Sequence, residues 1–101
     1  MYKRLVDDET KSYYNRILNE TIEIIDKYCV QTPDPIFKNI LYQLLDIKKN
    51  VVENSVLINS DDIDDRYTLG YIATKNFDDN KELQERLIDI FSGACDYQFL
   101  D

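Results

Sequence analysis

The chain predicts an all-α fold, a compact antiparallel bundle of about four helices forming one domain over 1–101. Three observations carry that expectation. Two glycines and two prolines leave too little turn chemistry for the many tight hairpins of an all-β protein. Apolar residues recur every three to four positions over long stretches, the spacing of a single helix face. A chain of 101 residues makes one domain, able to bury roughly two-thirds of its unfolded surface and to fold without a disulfide or a metal.

From about Val6 to Val30 the pairs Tyr13/Tyr14, Ile17/Leu18, Thr21/Ile22, Ile24/Ile25 and Tyr28/Cys29 draw a wide apolar stripe on one long helix. Asp7, Asp8 and Glu9 fall in its first turns, where carboxylates favour the positive end of the helix dipole. Thr32-Pro33-Asp34-Pro35 ends it, because proline disfavours helical geometry in the residue before it. Asp34 caps a second helix, with Pro35 in the first helical position where no amide donor is missed.

That helix reads from Pro35 to about Asn54, with Ile36, Phe37, Ile40, Leu41, Leu44, Leu45, Val51 and Val52 at helical spacing. The short connection makes it an antiparallel neighbour of the first. Ser55 to Ser60 reads as a loop. A third helix opens near Asp61 and runs through Ile63, Tyr67, Leu69, Ile72 and Ala73 to Asn76, despite Gly70, which costs about 1 kcal/mol relative to alanine inside a helix. Such a glycine predicts a close backbone approach, or a surface kept clear for a partner. Asp79-Asn80-Lys81-Glu82 has the pattern of a capping box led by Asp79. It starts a fourth helix whose buried face is Leu83, Leu87, Ile88, Phe91, Ala94 and Cys95, with Phe99 and Leu100 folding back onto the bundle.

Twenty acids against twelve bases leave a net charge of −8, which repels phosphate backbones and anionic headgroups. Nucleic acid and membrane are therefore excluded as expected partners. The charge is uneven: from Val56 onward eleven acids face four bases, whereas the first 55 residues carry nine acids and eight bases. Cys29 and Cys95 sit among apolar neighbours, which suits small buried hydrophobes in a reducing compartment rather than a disulfide. There is neither a leader pattern nor an apolar run near the roughly 18 residues that span a bilayer. The expected location is the cytoplasm.

Asp61-Asp62-Ile63-Asp64-Asp65 is the densest charge feature. Acids at a helix start are ordinarily dipole complements on a solvated face. A calcium loop would need a glycine turn and a bidentate Glu at set spacing, and neither is present. Acid–base chemistry would need one acid desolvated beside another that stays ionised, and with no His the usual neutral-pH proton shuttle is missing. No catalytic, cofactor-binding or metal-binding residue is assigned. Tyr67 and Tyr71 are spaced one helical turn apart beside the acids, so they either offer ring surface to a partner or cap the core with wet hydroxyls.

Thr68-Leu69-Gly70, Ile72-Ala73, Lys75, Phe77-Asp78, Glu82-Leu83 and Leu87 together resemble the small helical immunity proteins that neutralise NAD(P)-glycohydrolase effectors of bacterial type VI secretion systems. The resemblance spans residues 67–87, about a fifth of the chain. It implies a cytoplasmic antidote, made by the toxin-bearing cell and its siblings, that binds the toxin domain and blocks its active site without catalysis or cofactor. The two tyrosines and the four-Asp run are this chain's own. The expected contact surface, read from the residues themselves, comprises Asp61, Asp62, Asp64, Asp65, Tyr67, Tyr71, Lys75 and Asp78. Two other readings fit the same residues: immunity to a nuclease or other toxin of contact-dependent inhibition, and a non-catalytic adaptor or secretion chaperone. Spare apolar surface on the first two helices leaves room for a homodimer.

Overall fold

The computed structural model describes residues 2–101. Its first helix is started by a hydroxyl rather than by the acids that precede it. Leu5–Asp7 form a single 3-10 turn. Helix α1 then runs Lys11–Gln31, and the Thr10 side chain accepts a hydrogen bond from the Tyr13 amide at 3.1 Å. The expected start at Val6 is thus corrected. Thr10 satisfies an amide that acids lying before the helix do not reach.

Helix α2 spans Pro35–Ile47, and Asp34 caps it as expected by accepting from the Ile36 amide at 3.0 Å. The following Lys48–Glu53 continue the same rod as a wider π-helix. There Asn50 donates to the Asp46 backbone carbonyl at 3.2 Å and to its carboxylate at 2.9 Å. The loop expected after Asn54 is present. It is entered through Ser55 in left-handed geometry, φ 55°.

The single third helix expected over residues 61–76 is two. Helix α3 covers only Ile63–Arg66, and α4 covers Leu69–Asn76, with Tyr67 and Thr68 between them in non-helical backbone. Tyr67 is extended (φ −133°, ψ 144°), which turns its ring inward instead of along the outer face. Gly70 therefore lies in the first turn of α4 and not inside a long helix. A side chain there would meet the Phe91 ring at 3.0 Å, so the close approach is made by an aromatic ring and not by a backbone.

Helix α5, Lys81–Asp96, is capped by Asn80, whose side chain accepts from the Leu83 amide at 3.2 Å. The cap expected at Asp79 is displaced by one residue, and Glu82 is drawn away by Arg86 at 3.1 Å instead of closing the box. At the C-terminal end Tyr97 enters the core in a short 3-10 turn while Phe99 stays 74 % exposed. The residue that folds back is thus Tyr97, with Leu100 half-buried beside it.

Two helical pairs make the bundle. Helix α1 packs along α2, α4 along α5, and α1 lies against α5 to join them. Tyr14, Ile17, Leu18, Thr21 and Ile25 form the buried stripe of α1, and Leu83, Leu87, Ile90 and Ala94 that of α5. Stacked rings of Tyr28 and Phe37 at 4.7 Å, with Phe77 tilted 6.0 Å from Phe37, close the end where α1, α2 and α4 meet. Cys29 and Cys95 are both free thiols. No strand occurs among the described residues, and no helix is long and apolar enough to cross a membrane.

Candidate protein-binding surface

Two groups of acids in the second half contrast, one on α5 and one around α3. On α5, Asp89 is buried and accepts from the Arg4 guanidinium at 2.7 Å, the Tyr2 hydroxyl at 2.7 Å and the Leu5 amide at 3.0 Å, while Arg4 also reaches Glu85 at 3.1 Å. Arg86, nearly buried over the Tyr2 ring, pairs with Glu82 and with Glu20 on α1. These acids hold the N-terminal segment and α1 onto α5.

The other group is free. Asp61, Asp62, Asp64 and Asp65 all lie on the elbow around α3, all exposed, and none engages in an ion pair among the described residues. Buried Ile63 roots the elbow in the core. Asp62 and Asp65 line a shallow concavity of about 360 Å³ with Leu57, Ile58, Asn59 and Arg66. Burial first, then the charges of Asp96 and Asp64, push the Cys95 thiol up. Three or more His, Cys, Asp or Glu side chains placed to hold a metal ion do not occur among the described residues.

The expected tyrosine pair comes apart. Tyr71 is 65 % exposed on α4, with the Lys75 ammonium 5.6 Å from its ring centre, whereas Tyr67 is only 2 % exposed. The Tyr67 hydroxyl donates to Asp46 on α2 at 2.7 Å and accepts from Arg66 Nε at 3.2 Å. Burial and the Asp46 carboxylate push its pKa up to about 12. Tyr67 is therefore a tether between the elbow and α2, and its ring face is withdrawn from any partner. Asp78 follows the far end of α4, where it accepts from Gln84 at 3.3 Å while remaining exposed. The structure thus gathers the four elbow acids at one end of α4, Tyr71 and Lys75 along it, and Asp78 beyond its other end.

The spare apolar surface expected on the second helix lies on the outer face of α2, which the expected contact surface left out. Lys38, Tyr42 and Leu45 share one exposed helical row, with Tyr42 78 % and Leu45 47 % accessible. A signal was present: apolar residues at 36, 37, 40, 41, 42, 44, 45 and 47 are more than one face can bury. Gln43 fastens this helix to α4, accepting from the Thr68 amide and donating to the Thr68 hydroxyl, both at 2.8 Å.

The chain is a small helical scaffold with an interior cross-linked by arginine–carboxylate pairs and charged and aromatic groups outside, an architecture that presents a surface for binding. The Tsi6 family model matches residues 9–95, nearly the whole chain, and the protein belongs to that family of non-enzymatic type VI secretion immunity proteins. Searches of curated proteins and of solved structures gave no match.

Proposed function

We propose that this Tsi6-family chain binds an NAD(P)-degrading toxin domain of a secreted effector in the cytoplasm and blocks that domain's active site. The observation that carries the reading is the contrast in the second half of the chain. Glu82, Glu85 and Asp89 on α5 are engaged by arginines, while Asp61, Asp62, Asp64 and Asp65 are held out on a rooted elbow with no ion pair among the described residues. A domain that binds a dinucleotide presents cations to the pyrophosphate. A flank of four carboxylates can be steered into such a cleft at up to about 10⁸–10⁹ M⁻¹s⁻¹ at low salt. Tyr71 supplies a rigid amphipathic anchor beside it, and Lys75 and Asp78 complete the contact. Tyr67 acts from within by fixing the elbow to α2.

Changing all four elbow acids to Asn is expected to slow toxin association about tenfold at low salt and to flatten its salt dependence, because long-range attraction acts on encounter. Tyr71→Ala is expected to act on the other rate, speeding dissociation about tenfold or more. Stopped-flow association and chase measurements with the co-expressed toxin domain separate the two. Unchanged rates for both variants would remove this surface from the reading. Tyr67→Phe is expected to lose about 1–2 kcal/mol of folding stability, since Asp46 loses a hydrogen bond to a charged acceptor. Chemical denaturation measures this, and toxin dissociation should stay within about twofold of the unmodified chain.

A further inference from the structure

The N-terminal turn, the last two turns of α5 and the C-terminal residues enclose a cleft of about 380 Å³ that lies outside the proposed toxin contact. Val6 from the turn and Phe99 from the C-terminal segment line it as exposed apolar side chains, with Leu5 and Leu100 set deeper and Gly93 beneath them. The Asp101 amide donates to the Glu9 carbonyl at 3.3 Å, which ties together the two segments that flank the cleft. The polar side chains of the lining offer acceptors alone. Asp89 is already committed to Tyr2, Arg4 and the Leu5 amide, and Ser92 gives its proton to the Ile88 carbonyl at 2.9 Å, leaving its oxygen free to accept. Glu9 and Asp96 are exposed and form no ion pair among the described residues. No cation lines the cleft. Around it, Asp7 and Asp101 add exposed carboxylates. The neighbouring bases are held elsewhere, Lys3 by Asp8, Arg4 by Asp89 and Glu85, and Lys11 over the Tyr97 ring at 5.8 Å. Beyond Gln98, which donates to the Val51 carbonyl, the π-helix brings Lys48 and Lys49 with Glu53. With every one of these counted, acids still outnumber bases around the cleft.

An apolar cleft whose polar edge only accepts, in surroundings of net negative charge, selects an occupant with an apolar body and cationic donors. A second copy is disfavoured, since the chain carries a net charge of −8 and would bring more acid to the contact. We propose that the cleft docks a segment of a partner protein in which one large apolar side chain is flanked by lysine or arginine. The apolar side chain rests against Leu5, Val6, Phe99 and Leu100, and the cations meet Glu9 and Asp96. The two free acids come from different segments, Glu9 before α1 and Asp96 at the end of α5, which suits a cation on either side of the apolar side chain. Lysine and arginine stems add apolar contact while their charged heads stay at the wet rim. One buried side chain with exposed ion pairs gives a short peptide a dissociation constant on the order of 0.1–1 mM. The docking goes beyond the function proposed above and stands without it, because neither the elbow acids nor Tyr71 line this cleft.

Proton–nitrogen correlation spectra of the isotope-labelled full chain test the docking, with the end-blocked peptide Gly-Lys-Phe-Arg-Gly as probe. Saturable shifts at the amides of Val6, Ser92, Gly93 and Phe99 are expected, and the affinity should fall with salt. Replacing the probe's phenylalanine by glycine, or both its cations by glutamate, should weaken binding about tenfold or more. On the protein, Val6→Ser with Phe99→Ser, and separately Glu9→Gln with Asp96→Asn, should each weaken it about threefold or more. All four positions are exposed, and melting temperatures check that both variants stay folded. The chain with all four elbow acids changed to Asn should bind the probe within about twofold of the unmodified chain. Shifts that fail to saturate by about 5 mM, that centre on the elbow, or that ignore the probe's phenylalanine would overturn the proposal. So would variants that bind like the unmodified chain, or cleft resonances that move on dilution of the chain alone, the sign of a second copy in the cleft.

Discussion

Asp89→Ala is expected to remove about 3 kcal/mol of folding stability. The carboxylate is buried on α5 and collects the Tyr2 hydroxyl, the Arg4 guanidinium and the Leu5 amide, so one truncation strands three donors from a segment more than eighty residues away in sequence. Breaking a buried ion pair costs about 3–5 kcal/mol where both charges are desolvated. Arg4 is 38 % exposed and keeps Glu85 as a partner, which moves the expectation to the lower end of that range. For a domain whose total stability is on the order of 5–15 kcal/mol this is a large fraction. The melting temperature should fall by roughly 12–24 °C.

The pH dependence has a definite sign. Burial alone would raise the Asp89 carboxyl, but the bonds from Arg4, Tyr2 and the Leu5 amide prevail and hold it below the ordinary carboxylate range. A group whose pKa is depressed by folding contributes its stability fully above the unfolded value, about 3.9 for Asp. It loses that contribution as pH falls through the folded value. The unmodified chain should therefore lose stability below about pH 4 more steeply than Asp89→Asn, the two curves converging in acid. Thermal melts from pH 7 to pH 2 check it, and parallel curves would remove Asp89 as a source of the acid limb, to which Asp8 and Glu20, also held below the ordinary range, contribute.

The sequence disclosed the helices and concealed where they break. Periodicity placed α1, α2 and α5 because their buried stripes, such as Ile17, Leu18 and Ile25 or Leu83, Leu87 and Ile90, repeat at the helical period without interruption. Residues 61–76 keep the same period through Ile63, Tyr67, Leu69 and Ile72, yet the backbone straightens at Tyr67. What decides the break is tertiary: the Tyr67 hydroxyl is tethered to Asp46 and the Thr68 amide to Gln43, partners 21 and 25 residues away that no local pattern contains. The surface was legible in the same partial way. Four Asp residues bracketing Ile63 announce an exposed stretch, since carboxylates so close together stay in water unless paired, but the spacing places them at a helix start and not on an elbow. Tyr67 and Tyr71 looked equivalent by spacing, and only the break between α3 and α4 sent one inward and left the other outside. Arg86 and Asp89 lie off the apolar stripe that the spacing picks out, and nothing local marks them as buried, because their partners are Glu20 on α1 and Arg4 near the N-terminus.

Tyr14→Ala is expected to cost about 3–5 kcal/mol, the range for truncating a buried aromatic side chain. Tyr14 is completely buried, its hydroxyl donates to the Ile90 carbonyl at 2.7 Å and its ring lies 5.3 Å from that of Tyr97, so α1, α5 and the C-terminal turn all converge on it. Gly93 is the counterpart that lets the ring in. A Cβ on Gly93 would lie 2.6 Å from the Tyr14 ring and 2.8 Å from the Leu5 side chain. The ring cannot swing aside without giving up Ile90, so the cost of forcing a methyl group in should reach about 3 kcal/mol, near the top of the usual range for overpacking. The intrinsic preference of a helix for alanine over glycine returns only about 1 kcal/mol. Gly93→Ala should therefore destabilise by about 2 kcal/mol despite being the better helix former. Because the two changes act on one contact, the loss from Gly93→Ala should largely vanish in a Tyr14→Ala background, where the added methyl group enters vacated space. A double-mutant cycle by urea denaturation reads this directly, and additive losses would show that Gly93 is not the residue that accommodates the ring.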